Sequence, residues 1–118
     1  MSQNREFFEL INEAFARGDL DFLLEHVADD IEMKETGYAV IRGKEAFTQK
    51  MEPMRGVIPE EYHTTRIIIH GLHAVIEGTM KMFDSAGELK TYAFCDIYTL
   101  DKHNDGKIKE LTTYVIEV

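Results

Sequence analysis

Hydrophobic residues recur at helical spacing in the first part of the chain. Steps of three and four residues predict an amphipathic helix that begins near Ser2 and ends at Gly18, since glycine often caps a helix C-terminus. Its apolar positions are Phe7, Phe8, Leu10, Ile11, Ala14 and Phe15. Asp19 then suits the N-cap of a second helix with an apolar face. A third helix is expected from Lys44 to about Met51.

Alternating apolar and polar residues predict strands between and after these helices. Residues 31–35 alternate, so Ile31, Met33 and Glu35 share one face and Glu35 ends the apolar row. Residues 38–41 form a short extended piece. Four longer strands follow as a meander: 61–70, 74–83, 92–100 and 107–117. Helices first and a sheet afterwards predict one α+β domain over residues 1–118, with the helices on one face of a curved antiparallel sheet.

The strand over residues 92–100 is apolar on both faces, which is typical of a central strand. Asp96 lies in the middle of its more aromatic face, between Phe94 and Tyr98. A carboxylate in such surroundings is costly unless it is hydrogen-bonded, protonated or used in chemistry. Asp96 is therefore the first candidate functional residue of the chain.

The other face of the predicted sheet is also apolar. We expect it to carry Cys95, Ile97, Thr99, Leu111, Thr113 and Val115. Because the helices cover one side of the sheet, this second face requires a partner, and a two-fold homodimer through the sheets is the natural solution.

Composition excludes several classes of protein. The net charge of −9 over 118 residues argues against binding to nucleic acid or to anionic membranes. No apolar run reaches the roughly 20 residues of a membrane span, and the N-terminus does not read as a signal peptide. A single cysteine, Cys95, allows no intrachain disulfide, so a cytoplasmic location is expected.

Several phrases of the sequence resemble one known superfamily. They are residues 16–21 (ARGDLD), 27–31 (VADDI), 41–46 (IRGKEA), 96–98 (DIY) and 105–108 (DGKI). They are similar to the nuclear transport factor 2-like superfamily, and within it to the SnoaL-like and ketosteroid-isomerase-like branch. The resemblance implies a cone-shaped, cystatin-like α+β roll with about three N-terminal helices on the concave face of the sheet. It also implies isomerase, cyclase or lyase chemistry as one use of the fold.

The resemblance also implies roles for individual residues. Ketosteroid isomerases carry a carboxylate base where Glu35 falls and a protonated aspartic acid as oxyanion donor where Asp96 falls, as described for that enzyme. Their tyrosine donor falls near Ile11, which has no proton to donate. The chain therefore departs from the isomerase pattern at one of two oxyanion donors.

An apolar pocket is expected around these two acids. Methionines that alternate along the 74–83 strand offer an adaptable lining. The predicted substrate-binding residues are Ile11, Phe15, Met33, Met80, Met82, Phe94, Tyr98 and Tyr114. The alternative for Asp96 is a structural carboxylate that accepts hydrogen bonds from Tyr92, Tyr98 or Tyr114, with Glu35 a rim residue in water.

No motif for a metal or cofactor is present, so we expect neither. His63 and His70 flank an apolar run and could act as bases, although a place at a strand end or in a dimer seam fits them as well. Three functions remain open. They are a cofactor-independent isomerase or cyclase acting next to a carbonyl, a binding pocket for a hydrophobic small molecule without chemistry, and a dimeric interaction module.

Overall fold

A computed structural model describes residues 3–118 of the chain. The helices are α1 (Gln3–Arg17), α2 (Leu20–Glu25) and α3 (Lys44–Met51), and a 3-10 turn follows at Glu52–Met54. The strands are β1 (Val27–Glu35), β2 (Ala39–Arg42), β3 (Glu61–His70), β4 (His73–Phe83), β5 (Leu89–Leu100) and β6 (Ile108–Glu117). The helix start expected near Ser2 lies outside the described residues.

The corner between α1 and α2 forms as the sequence predicts. Gly18 adopts a φ of 65°, and the backbone N–H of Asp19 donates to the carbonyl of Ala14 at 2.9 Å. The Asp19 side chain then accepts from the N–H of Phe22 at 3.2 Å and caps α2. A Cβ at position 18 would lie 2.5 Å from the carbonyl oxygen of Val57, so only glycine fits this corner.

The six strands form one sheet in the order β2-β1-β6-β5-β4-β3. Neighbours are antiparallel except β1 and β6, which run parallel. The predicted α+β cone is thus confirmed, with one parallel pair added. These two strands lie far apart in the chain and no hairpin joins them, so nothing in the connection imposes the antiparallel direction. Strand β1 also begins earlier than expected, at Val27, because Asp29 and Asp30 are accommodated in an irregular stretch of strand.

The register between β5 and β6 corrects the expected composition of the outer face. Asp96 pairs with Thr113, and Cys95 pairs with Tyr114. Because side chains alternate, Leu111, Thr113 and Val115 lie on the concave face rather than opposite to it. The outer face carries instead the set Cys95, Ile97, Thr99, Thr112, Tyr114 and Ile116. A shift of one residue in register moves every side chain of a strand to the other face.

The hydrophobic core lies between the helices and the concave face of the sheet. Its largest fully buried side chains include Phe8 and Ile11 from α1, Phe47 from α3, and Tyr98 from β5. The rings of Phe8 and Tyr98 lie 5.6 Å apart. The core fills the closed end of the cone, and the space beyond it becomes the cavity described next. In residues 3–118, no helix is long and apolar enough to cross a lipid bilayer.

Candidate functional site

A cavity of about 250 Å³ lies between the concave face of the sheet, α1 and the segment after α3. Most of its lining is apolar, with several flexible methionines. The lining residues are Phe15, Met33, Glu35, Met51, Met54, Val57, Pro59, Tyr62, Met80, Met82, Phe94, Asp96, Thr113 and Val115. A pocket of this kind suits a small hydrophobic molecule held by a few polar groups.

Three polar side chains lie in one row across the concave face. Asp96 on β5 pairs with Thr113 on β6, and Thr113 pairs with Glu35 on β1. Neighbouring strands are about 4.8 Å apart, so the backbones of Asp96 and Glu35 are separated by about 10 Å. The row places both carboxyl groups on the wall of the same cavity, with a hydroxyl between them.

Within residues 3–118, Asp96 gains only one side-chain hydrogen bond, from Thr113, in place of the water that it loses on folding. Burial raises the pKa of this carboxyl to about 6, although the hydrogen bond from Thr113 opposes the change. Thr113 Oγ1 donates to Asp96 Oδ1 at 2.5 Å. The donor is Thr113 rather than Tyr92, Tyr98 or Tyr114, the tyrosines considered from the sequence. A carboxyl that titrates near neutrality can both accept and release a proton under ordinary conditions.

Glu35 lies in a different environment at the rim of the cavity. Its carboxylate contacts Lys50 Nζ of α3 at 3.1 Å, and its side chain is 27% exposed. The two acids thus differ in surroundings, since Asp96 is buried beside apolar side chains and Glu35 is paired with Lys50.

A tyrosine that the sequence analysis did not select completes the polar part of the lining. Tyr62 on β3 donates from its hydroxyl to Asn12 Oδ1 of α1 at 3.2 Å. Asn12 Nδ2 donates in turn to Thr64 Oγ1 at 2.7 Å. The ring of Tyr62 stacks on Phe94, with centroids 5.1 Å apart and planes 30° apart. Burial and the charge of Asp96 both raise the pKa of the Tyr62 phenol.

The predicted site residues divide into three groups. The structure brings seven of them to the cavity wall: Phe15, Met33, Glu35, Met80, Met82, Phe94 and Asp96. Ile11 and Tyr98 lie in the closed core beneath the cavity. Tyr114 lies on the outer face beside Cys95, so its expected place in the pocket is wrong. The error has the same cause as the misplaced outer face, since one shift in register decides the side on which a β6 residue lies.

Tyr62 and Thr113, which were not predicted as site residues, have no distinctive pattern in the sequence. Tyr62 and Thr113 are ordinary strand formers, and only the pairing register shows that they share a face with Asp96. His63 and His70 are exposed on the outer face, away from the cavity. Within residues 3–118, no three His, Cys, Asp or Glu side chains are grouped closely enough to hold a metal ion.

Comparison with known protein families identifies the fold family. The model of the SnoaL-like domain matches residues 5–111, nearly the whole chain. The chain belongs to the SnoaL-like domain family. No functionally curated protein matches the sequence.

Solved structures agree with this SnoaL-like assignment. A nuclear transport factor 2-like protein of unknown function from Cytophaga hutchinsonii is 30% identical, with a TM-score of 0.72 over 92% of this chain and 96% of that one. A protein named as a SnoaL-like polyketide cyclase from Mesorhizobium loti is 27% identical, with a TM-score of 0.67 over 92% and 96% of the two chains. An LEH-like epoxide hydrolase from M. tuberculosis is 20% identical, with a TM-score of 0.74 over 92% and 79%, which shows the fold alone.

Proposed function

We propose that this SnoaL-like protein is a cofactor-independent isomerase or cyclase that moves a proton next to the carbonyl group of a small hydrophobic molecule. The observation that carries the proposal is the position of Asp96. Its carboxyl faces an apolar cavity, accepts one hydrogen bond from Thr113 and has a pKa raised to about 6. Perturbed acids in clefts are enriched at functional sites.

The proposed reaction needs only proton transfers. A carboxylate removes a proton from the carbon beside the carbonyl, and the electrons of that C–H bond form an enolate whose charge develops on oxygen. In an isomerase, the carboxylic acid then returns the proton to a different carbon of an enolate that is conjugated with a C=C bond. In a cyclase, the enolate carbon attacks a second carbonyl within the molecule, and the carboxylic acid gives its proton to the alkoxide that forms. Asp96 is proposed as the group that gains and loses the proton, and Glu35 as a second carboxylate or base at the rim.

The cavity limits the class of substrate. Its volume of about 250 Å³ lies below the 300–1,000 Å³ of sites for drug-sized ligands. Met33, Met80 and Met82 in the lining adapt to apolar surfaces. A carbonyl compound with one or two rings fits these properties best.

Deuterium exchange tests the proposal without knowledge of the natural substrate. The protein is incubated in D₂O with 1-tetralone, a two-ring ketone, and deuterium at the carbon beside the carbonyl is followed by NMR. Wild type should accelerate exchange over buffer, and Asp96→Asn should lose about 100-fold or more of that acceleration. Asp30→Asn, at an exposed position on β1, is the matched control and should behave as wild type.

If Asp96→Asn exchanges deuterium as fast as wild type, Asp96 is a structural carboxylate and the enzymatic function is wrong. If no variant accelerates exchange while 1-tetralone still raises the melting temperature of wild type, the protein is better described as a non-catalytic binding module.

We also propose a cytoplasmic homodimer formed through the outer face of the sheet. Ile97, Tyr114 and Ile116 are exposed on that face in the single chain. Two ion pairs lie on the same face within the chain, Arg66–Glu77 at 3.0 Å and Arg42–Glu32 at 2.8 Å. These pairs reduce the repulsion between like charges when a second copy approaches, although the whole chain carries −9.

A further inference from the structure

Tyr62 lines the cavity from the side opposite to Glu35. It lies on β3, two strands beyond Asp96, whereas Glu35 lies on β1, two strands away in the other direction. Both residues line the same cavity. The cavity thus has Glu35 on one side, Asp96 in the centre and the side chain of Tyr62 on the other side.

The Tyr62 ring packs against Phe94 because Gly78 on the neighbouring strand has no side chain. Gly78 on β4 lies between Thr64 and Phe94 in register. Because it has no side chain, the Phe94 ring extends over β4, where its Cζ lies 2.8 Å from the position that a Cβ of residue 78 would take. Phe94 thereby reaches the Tyr62 ring and stacks on it. This stacking fixes the orientation of the phenol relative to Asp96, two residues beyond Phe94.

The hydroxyl of Tyr62 is held weakly in the ligand-free protein. Its donation to Asn12 Oδ1 spans 3.2 Å, whereas O–H···O bonds are shortest and strongest near 2.7–2.8 Å. Asn12 is meanwhile committed through Nδ2 to Thr64 Oγ1 at 2.7 Å. The phenol proton can therefore turn about its C–O bond to a better acceptor without breaking the contact between Asn12 and Thr64.

We infer that Tyr62 donates a hydrogen bond to the carbonyl oxygen of the bound substrate and stabilises the negative charge that develops there. The inference rests on the proposed function and adds a catalytic residue to it. In the ligand-free protein the phenol proton is turned to Asn12, and a bound carbonyl oxygen takes its place as the acceptor. Tyr62 thus supplies the hydroxyl donor that Ile11 cannot supply.

The electrostatics of the cavity keep Tyr62 in the form that this role requires. Burial, and secondarily the negative charge of Asp96, raise the pKa of its phenol. The hydroxyl therefore stays protonated over the whole neutral range and remains a donor. A neutral donor in an apolar cavity is worth more to a developing oxyanion than the same group in water.

Two readouts on Tyr62→Phe test this role, because the change removes the hydroxyl and keeps the ring that stacks on Phe94. The first is the deuterium exchange of 1-tetralone, for which we expect a loss of about 100-fold, typical of one oxyanion donor. The second is the infrared carbonyl stretch of ¹³C=O-labelled 1-tetralone bound to the protein. The stretch should lie lower in wild type than in Tyr62→Phe, since hydrogen bonding weakens the carbonyl bond.

Tyr92→Phe is the matched control. Tyr92 lies on the same concave face, opposite Met80, but does not line the cavity. It should match wild type in both readouts, and circular dichroism melting should show that all variants fold.

The outcomes separate this inference from the proposed function. If Tyr62→Phe keeps the wild-type exchange rate and carbonyl frequency while Asp96→Asn loses exchange, Tyr62 is a stacking residue and the inference alone is overturned. If no variant catalyses exchange but the carbonyl frequency still rises in Tyr62→Phe, the hydrogen bond is supported and the proposed reaction fails. Absence of a bound carbonyl band in wild type would overturn both.

Discussion

At the scale of single residues, Asp96 combines a cost in stability with a proposed use in chemistry. Its ionised form loses the hydration that it has in the unfolded chain, and among the described residues only one hydrogen bond, from Thr113, replaces it. The raised pKa means that folding disfavours the carboxylate relative to the carboxylic acid. The protein keeps an acid at the cavity wall although an apolar residue there would fold more stably, as is common at functional sites.

This cost predicts how Asp96→Asn changes stability with pH. The folded pKa of about 6 lies above the ordinary value of 3.8. Ionisation of Asp96 therefore lowers the free energy of unfolding little below about pH 4, and by its full amount above about pH 6. Each pKa unit corresponds to about 1.4 kcal/mol. The free energy of unfolding of Asp96→Asn should therefore exceed that of wild type by about 3 kcal/mol at about pH 7.5 and by about 1 kcal/mol at about pH 4.5. Urea unfolding of both proteins at the two pH values measures the difference.

The other titrating groups are common to the two proteins and cancel in this comparison. A stability difference that stays constant between the two pH values would mean that Asp96 titrates at its ordinary pKa in the folded protein.

At the scale of elements, the sequence predicted the helices, the long strands and the faces of β1 and β5, because each carries a clear hydrophobic period. It did not predict the faces of β6, where a bulge beside Thr99 and Leu100 changes the pairing with β5. Irregular pairing of this kind depends on the partner strand, so no period within residues 107–117 reveals it. Thr113 and Tyr62 were missed as site residues for the same reason, since their roles follow from register.

Gly78 shows how one position in β4 shapes the cavity. A Cβ there would meet the backbone carbonyl of His63 and the ring of Phe94. The backbone contact cannot relax cheaply, so we predict that Gly78→Ala destabilises the protein by about 2–3 kcal/mol. Thr79→Ala, at the exposed next position, should change stability by less than about 1 kcal/mol. Thermal unfolding of both variants gives the comparison.

An equal, small effect of the two substitutions would mean that β3 and Phe94 move apart easily. The stacking of Phe94 on Tyr62 would then not be held by the strand.

At the scale of the whole molecule, the helices cover the concave side of the sheet and leave its outer side bare. Ile68 is 54% exposed and Ile116 is 63% exposed on that side. Exposed apolar side chains on an uncovered sheet face are typical of an interaction site. The proposed two-fold dimer would bury the same face of both copies and leave the cavities open at the concave sides.

The proposed homodimer predicts the mass of the protein in solution. Analytical ultracentrifugation should give twice the 13.6 kDa of one chain. Ile97→Glu, on the outer face of the central strand, should give a folded monomer because it buries an unpaired charge at the interface. Ile58→Glu, an equal change of charge at an exposed loop position outside that face, should remain dimeric. A wild-type monomer, or a dimer unaffected by Ile97→Glu, would contradict this assembly.

The central claim is that Asp96 is a carboxyl with a raised pKa at the wall of an apolar cavity. The most direct measurement is a ¹³C NMR titration of the aspartate side-chain carboxyls, with the Asp96 signal assigned by its loss in Asp96→Asn. The midpoint is predicted near pH 6 in the free protein, and it should rise further when 1-tetralone fills the cavity and excludes water. A midpoint near pH 4 that 1-tetralone leaves unchanged would contradict the account.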